Sequence, residues 1–180
     1  MNDAFKLGAH GKHLWTRAPA QQLRELLSRQ LRSASPGKAV VIDARDVEAF
    51  DFSFANEFFG KAQLSLRHEF VDRFLFIEGL TEYTRENLNQ ALEGLSLVMI
   101  ERRAGLKHLL GKLHPVDVKT FGVIDKAAQP ISAASLSQTL DVNQTAMNER
   151  LGKLVELCLI WRTKGVSPAG REQYLYEVPA

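Results

Sequence analysis

Two short, continuously apolar runs constrain the first half of the chain more than any other feature. They are AVVID and RFLFIEGL, and a segment with the apolar spacing of a helix separates them. Strands that are apolar without alternation are typical of parallel sheets covered on both faces. Because strands and helices alternate with short connections, the sequence predicts an α/β domain with a mixed sheet over residues 1–105. A hydrophobic content of 45% is sufficient for such a core.

Local patterns predict how these elements are connected. The segments AFKL and HLWTR flank GAHGK, whose glycines favour the turn of a hairpin. Ser53 and Thr84 stand directly before segments with helical periodicity, so each is predicted to cap a helix.

The last part of this half is predicted to be helical. The segment TRENLNQALEGLSLVMIERR has an amphipathic pattern and is predicted to form one long helix. The basic segment ERRAGLKHLLGK follows and is predicted to be a solvated linker helix. Both helices are candidate surfaces for self-association.

The pattern changes after residue 115. Three helical segments are followed by residues that alternate in polarity on both sides of a tip rich in Gly and Pro. The order of three helices and a hairpin predicts an α+β winged-helix domain over residues 115–180. The first helix is expected to bury one face, made of Val116, Phe121, Ile124 and Ala128.

The second and third of these helices form a predicted helix-turn-helix. Ser132 and Asn143 are the predicted N-caps of the two helices. The spacing of three apolar residues on the third helix directs them to the core, and they are Met147, Leu151 and Leu154. The opposite face then exposes Gln144, Thr145 and Asn148. Gln and Asn amides can pair bidentately with adenine, and a Thr hydroxyl can contact phosphate.

Positive charge collects near this helix although the chain as a whole has a net charge of only +2. Residues 143–171 hold five basic and two acidic side chains, and three of the basic ones bracket the hairpin tip. Such residues can neutralise DNA phosphates, which makes affinity depend on salt. The predicted DNA-binding residues are therefore Ser132, Asn143, Gln144, Thr145, Asn148, Lys153, Arg162, Lys164 and Arg171.

The segment LSQTLDVNQTAMNERLGKLVELCLIWR, followed by SPAGREQYLYEV, resembles bacterial winged-helix regulators of the MarR and ArsR type. The resemblance implies a dimer that binds duplex operator DNA, with Gln144, Thr145 and Asn148 facing the groove. The chain departs from those families at Cys158, where they usually have a glycine. That glycine often adopts positive φ, a conformation that is costly for cysteine.

The segment VVIDARDVEAFDFSFANEFFGK looks like the STAS-like family, relatives of anti-sigma-factor antagonists. The resemblance implies a scaffold for protein contacts, with Ser53 at the position that a partner kinase phosphorylates in true STAS antagonists. Here Phe54 and Phe58 stand where that family has small residues and glycine.

Catalytic and metal sites are not predicted. Cys158 is the single cysteine, so an intramolecular disulfide framework and a multi-cysteine zinc site are excluded. His10 and His13 flank a predicted turn without a third ligand. No nucleophile or Gly-rich phosphate loop accompanies the carboxylates of the first half, so no enzyme activity, cofactor or metal is expected. Those carboxylates are Asp43, Asp46, Asp51 and Glu57.

Neither a membrane helix nor a signal peptide is expected from the sequence. No apolar run approaches the ~20 residues of a membrane helix. The segment MNDAFKLGAHGKHLW has no apolar centre of the kind that a signal peptide contains. We expect a soluble, cytoplasmic protein without a membrane partner.

These patterns predict a DNA-binding transcriptional regulator. The C-terminal winged helix would bind duplex DNA, and the STAS-like domain would supply dimerisation, protein contacts or signal input. Two alternatives remain open at the level of sequence. One is an interaction adaptor that does not bind DNA, and the other is a phospho-regulated antagonist that acts through the STAS-like domain.

Overall fold

The computed structural model describes residues 4–180. The chain divides into two compact units, which we call the N-terminal unit (Met1–Lys112) and the C-terminal unit (Leu113–Ala180). The predicted ranges, 1–105 and 115–180, lie within these units. Within the described residues, no helix combines the length and apolarity needed to cross a membrane.

The N-terminal unit is of mixed α/β type. Its strands are β1 (Phe5–Lys6), β2 (His13–Leu14), β3 (Ala39–Asp43), β4 (Ala49–Phe50), β5 (Phe74–Glu78), β6 (Val98–Arg103) and β7 (Leu106–Gly111). Its α-helices are α1 (Arg17–Ser33), α2 (Phe52–Ala55), α3 (Lys61–Ser65) and α4 (Glu82–Gly94). A 3-10 helix (Leu7–His10) follows β1, and a π-helical segment (Asn56–Gly60) joins α2 to α3.

Five strands form a mixed sheet in the order β1-β3-β5-β6-β7. All neighbouring strands are parallel except β6 and β7, which are antiparallel. The apolar runs named above form β3 and β5, and Val41 pairs with Phe76 between them. Nearly every residue of these two strands is buried, as expected where both faces of a sheet are covered. The prediction of a mixed sheet is confirmed for this unit.

The predicted hairpin around GAHGK is wrong. Instead of pairing with each other, β1 pairs in parallel with β3, and β2 pairs in parallel with β4. Gly8 lies in the 3-10 helix between them, where a Cβ atom would clash with the carbonyl oxygen of Arg45. The glycine therefore permits a close backbone approach, which is a different requirement from that of a hairpin turn.

Both predicted helix caps in this unit are displaced by two or three residues. Asp51, and not Ser53, caps α2, because its Oδ1 accepts a hydrogen bond of 2.7 Å from the Phe54 amide. Thr81, and not Thr84, caps α4, and the two threonines form a reciprocal capping box. In each case the residue chosen from sequence lies in the first turn of the helix, where a second polar side chain is also favourable.

The predicted long helix and linker helix are also wrong. Helix α4 ends at Gly94, and the following residues form the antiparallel pair β6 and β7. Ala104 and Gly105 connect the two strands and both have positive φ, as a two-residue type I′ turn requires. The sequence signal was weak because alanine replaces the Asn or Asp that usually marks this turn.

The C-terminal unit contains three helices followed by a hairpin. Its elements are α5 (Pro115–Lys126), β8 (Ile131–Ser132), α6 (Ala133–Leu140), α7 (Gln144–Glu156), β9 (Trp161–Val166) and β10 (Glu172–Glu177). The strands form an antiparallel sheet in the order β8-β10-β9. On the predicted apolar face of α5, Phe121 and Ile124 are buried. Val116 is exposed, and Ala128 lies beyond the end of the helix, so that face is shorter than predicted.

Candidate nucleic-acid interface

A tight connection between α6 and α7 builds the candidate site. Asp141 ends α6 in the left-handed conformation, with φ 51° and ψ 53°. Two residues later, Asn143 caps α7 by accepting a hydrogen bond of 2.9 Å from the Ala146 amide. Ser132 caps α6 in the same way through the Ser135 amide. Both predicted caps of the helix-turn-helix are confirmed, and they fix where each helix begins.

Helix α7 buries one face and exposes the other. Its apolar side chains are Met147, Leu151 and Leu154, and each is fully buried. Residues on the opposite side of the same turns are therefore directed outward. Gln144, Thr145 and Asn148 are exposed. The structure thus brings these three predicted residues together at the N-terminal end of one helix face.

Two of the exposed amides are ordered by hydrogen bonds. Gln144 Nε2 donates to Asn148 Oδ1 over 3.2 Å, one turn along the helix. The Ser137 hydroxyl of α6 donates to Gln144 Oε1 over 3.4 Å. These contacts restrict the rotamers of the two amide side chains before any ligand arrives.

Lys153 has a different environment from the other predicted contacts. Its Nζ lies 2.7 Å from Oδ2 of Asp117 on α5. Asp117 is only 4% exposed, and a buried carboxylate strongly favours a cationic partner. A DNA phosphate would have to compete with this carboxylate for the ammonium group.

The hairpin places two of its three cations on one face. Arg162 and Lys164 are two residues apart on β9, so both side chains point to the same side of the sheet, and both are exposed. The Arg162 guanidinium lies over the ring of Tyr174, 4.5 Å from its centroid. Burial raises the pKa of the neighbouring Tyr176 hydroxyl, an effect that the charge of Arg162 opposes. A flat, exposed guanidinium–aromatic pair beside a lysine is a suitable surface for a phosphate backbone.

The hairpin tip is fixed by its own backbone. Ser167 and Gly170 are joined by a hydrogen bond of 2.9 Å, and Ser167 accepts a second bond from the Arg171 amide through its hydroxyl. Gly170 has a φ of 76°, which a glycine adopts without strain. Arg171 is exposed at the end of this turn. The structure therefore places all three predicted cations of the hairpin at its surface.

Cys158 lies at the end of α7 and has a φ of 56°. This is the left-handed conformation that the glycine often adopts in the families that the sequence resembles. Its amide donates to the Val155 carbonyl over 2.9 Å, and the Leu159 amide donates to the Leu154 carbonyl over 3.0 Å. This is the Schellman arrangement, in which glycine is the usual residue. The chain adopts the same helix end with a cysteine in place of the glycine.

Replacing Cys158 with glycine is expected to raise the free energy of unfolding of the C-terminal unit by about 0.5–1 kcal/mol. A left-handed non-glycine residue costs about 1–2 kcal/mol, and the greater freedom of glycine in the unfolded chain offsets part of the gain. Urea unfolding, followed by Trp161 fluorescence in a Trp15→Phe background, measures the change.

Cys158→Ala is the matched control, because alanine removes the thiol and keeps the Cβ atom. A glycine variant that is no more stable than the alanine variant would contradict the backbone explanation.

In the N-terminal unit, the fold accounts for the contacts of the candidate phosphosite and of a candidate metal-binding histidine. Ser53 is half-buried inside α2, and a phosphate there would lie near the Asp51 carboxylate that caps the helix. His13 stacks on Trp15 and pairs with Glu48. Among residues 4–180, no three His, Cys, Asp or Glu side chains are grouped as a metal site would require.

Three of the carboxylates that the sequence singled out, Asp43, Asp51 and Glu57, are held by cations or by a backbone amide. The Arg45 side chain hydrogen-bonds to Asp43 and holds the pKa of that carboxyl below its usual value. Glu57 is buried and paired with Lys61 and Arg24. Burial raises the pKa of Glu57, but the two cations outweigh this effect and lower it. These contacts account for three of the four carboxylates that the sequence singled out near β3 and α2.

Two contacts in the candidate interface were not predicted. The pairing of Lys153 with Asp117 joins residues 36 positions apart, and no local pattern reports it. The stacking of Arg162 on Tyr174 is predictable from the sequence, because both residues lie at outward-facing positions of the predicted hairpin.

The chain has a weak structural likeness to a solved protein. No protein-family model and no curated protein matches the chain. A solved structure of a possible transcriptional regulator from Methanosarcina mazei Go1 is similar over 45% of this chain and 74% of that chain, with 16% identity and a TM-score of 0.35. A likeness this weak does not indicate a function, so the functional conclusion depends on the geometry described above.

Proposed function

We propose that the chain is a transcriptional regulator whose C-terminal unit binds duplex DNA as a winged helix of the MarR and ArsR type. The observation that carries this proposal is the outward face of α7. Gln144, Thr145 and Asn148 are exposed at the start of this helix, while its apolar residues fill the core. The exposed cations of the hairpin, Arg162, Lys164 and Arg171, belong to the same unit.

Each part of this unit has a role in the proposed complex. The N-terminal end of α7 enters the major groove, where amide side chains can read base edges. The hairpin cations contact phosphates, which sets the position of the protein on the duplex without reading sequence. Ser132 and Asn143 contribute as caps, because they fix the helix ends that approach the DNA.

The N-terminal unit has a non-catalytic role in this proposal. A STAS-like scaffold would supply contacts with a second copy or with a protein partner in the cytoplasm. A dimer is favoured because one winged helix reads few base pairs, and two half-sites one turn apart increase specificity. Regulation through a phosphate on Ser53 is less well supported than protein contact, because Asp51 already occupies the cap position.

Protein binding is the second candidate function of the C-terminal unit. Val166 and Tyr174 are exposed on the hairpin, and Glu149 is exposed on α7 beside Asn148. Apolar and aromatic side chains on a strand face are common in protein contacts, and an acidic residue opposes phosphate binding. Residues 116–180 also contain equal numbers of basic and acidic side chains.

Fluorescence polarisation with labelled duplex DNA, at a series of salt concentrations, tests the proposed function in the full chain. The affinity is expected to fall with salt, with a logarithmic slope that reports the number of phosphate contacts. A folded protein that binds no duplex at the lowest salt concentration would leave protein binding as the better explanation.

Replacing both Arg162 and Lys164 with alanine is expected to reduce the salt slope of DNA binding by about 1.8, since each lost phosphate contact contributes about 0.9. The affinity should decrease to a similar extent for all duplex sequences. The same polarisation series measures both quantities.

Lys119→Ala is the control, because Lys119 is exposed on α5 of the same unit and has no proposed DNA contact. Arg162→Lys keeps the charge and removes the planar group that stacks on Tyr174, so its slope should stay near that of the parent. Equal slopes for the double variant and the parent would contradict a wing role for the hairpin.

A further inference from the structure

If the proposed DNA binding is correct, the hydrogen bonds of the Gln144 and Asn148 amides determine which base these side chains can read. Ser137, Gln144 and Asn148 form a chain of two hydrogen bonds that runs from α6 onto the outward face of α7. Ser137 is half-buried, whereas both amide residues are exposed. The chain therefore begins at the packed side of the helix-turn-helix and ends at its surface.

The direction of these hydrogen bonds determines which polar atoms remain free. Gln144 Oε1 accepts from the Ser137 hydroxyl, and Asn148 Oδ1 accepts from Gln144 Nε2. Each amide carbonyl thus already accepts one hydrogen bond and keeps one lone pair, while one N–H of Gln144 and both N–H groups of Asn148 remain available, so the pair offers more donors than acceptors. Adjacent side chains one turn apart then present N–H donors side by side.

Base edges in the major groove differ in what they offer to such a pair of donors. Guanine presents two neighbouring acceptors, N7 and O6, whereas adenine presents one acceptor beside a donor. A free Asn or Gln matches adenine because it supplies both a carbonyl and an N–H group. Two N–H donors match guanine instead, in the manner of an arginine fork.

We infer that Gln144 and Asn148 together read a guanine, and that Ser137 is the positioning residue that sets their donor orientation. This inference rests on the proposed function and adds a base preference to it. Ser137 acts through Gln144 and does not touch the DNA.

The first test selects preferred sites from a random duplex library with the full chain. Enriched sites should carry a guanine at a fixed position, and Gln144→Ala with Asn148→Ala should abolish that preference. Replacing this guanine with 7-deazaguanine removes the N7 acceptor and should weaken binding about twofold to tenfold. Duplex binding without any sequence preference, or with adenine enriched at the position lost in the double variant, would overturn the inference and leave the proposed function intact.

The second test is Ser137→Ala, which releases the Gln144 carbonyl. The preference for guanine over adenine should fall about twofold to tenfold, while the salt slope should not change. Thr139→Ala is the matched control on the same helix, because the Thr139 hydroxyl bonds only to the Ser135 carbonyl one turn earlier. An unchanged preference in Ser137→Ala would overturn the positioning role, and absence of binding to every duplex would overturn the proposed function itself.

Discussion

Replacing Arg85 with alanine is expected to lower the free energy of unfolding of the N-terminal unit by about 3–5 kcal/mol. Arg85 Nε lies 2.9 Å from Glu101 Oε2, and Nη2 lies 2.8 Å from Glu101 Oε1. Glu101 is 1% exposed on the central part of β6, so the variant would leave its carboxylate buried without this cation. The Arg85 guanidinium also donates to the Leu80 carbonyl. The hydrogen bond that Arg85 donates to Glu101 raises the pKa of Arg85, which agrees with a pair that is charged in the folded chain.

Urea unfolding, followed by Trp15 fluorescence in a Trp161→Phe background, measures this loss. Arg103→Ala is the control, because Arg103 lies on the same strand as Glu101 and is exposed. Replacing both Arg85 and Glu101 with methionine should recover much of the stability, because no unpaired charge then remains. A loss below about 1 kcal/mol in the alanine variant would show that Glu101 is compensated in another way.

Replacing Phe58 with alanine is expected to lower the free energy of unfolding of the same unit by about 3–5 kcal/mol. Phe58 is fully buried in the π-helical segment. Its ring centroid lies 4.8 Å from that of Phe59, 5.6 Å from that of Phe54 and 5.8 Å from that of Phe5. The variant would lose these contacts and leave a cavity that the surrounding rings can fill only in part.

Phe52→Ala is the matched control, because Phe52 begins α2 and is 53% exposed. The same urea experiment should show a much smaller loss for this control. Phe58→Leu should fall between the two, since leucine fills part of the space. Similar losses for Phe58→Ala and Phe52→Ala would contradict the assignment of Phe58 to the core.

The parts of the fold that could be predicted from sequence are those fixed by burial on a regular period. The runs that form β3 and β5 are apolar at nearly every position, which is typical of a strand covered on both faces. The helix caps were misplaced because two local signals compete. Asp51 and Ser53 are both good caps, and only the backbone decides that Asp51 accepts the Phe54 amide. The turn between β6 and β7 was not predicted, because Ala104 adopts positive φ and alanine is not a residue type that usually indicates such a turn.

The same distinction applies to the candidate interface. The spacing of Met147, Leu151 and Leu154 fixes the buried face of α7, so the exposed face could be predicted. The partner of Lys153 could not be predicted, because Asp117 becomes its neighbour only when α5 packs against α7. Likewise, the Ser137 hydroxyl reaches Gln144 only through the tight connection between α6 and α7.

The pairing of the strands described above also sets how quickly each unit can form. In the N-terminal unit, Phe5 pairs with Ile42 and Val41 with Phe76, so long loops must close before these contacts are made. In the C-terminal unit, most strand pairing lies in the β9–β10 hairpin, where Val166 pairs with Glu172 across a short tip, and the two-residue strand β8 adds a distant strand pairing, in which Ser132 pairs with Leu175. Topologies with distant pairings fold more slowly than those with near ones. We therefore expect the slow kinetic phase of refolding to belong to the unit that the ribosome makes first, which can begin to collapse while the faster unit is still being translated.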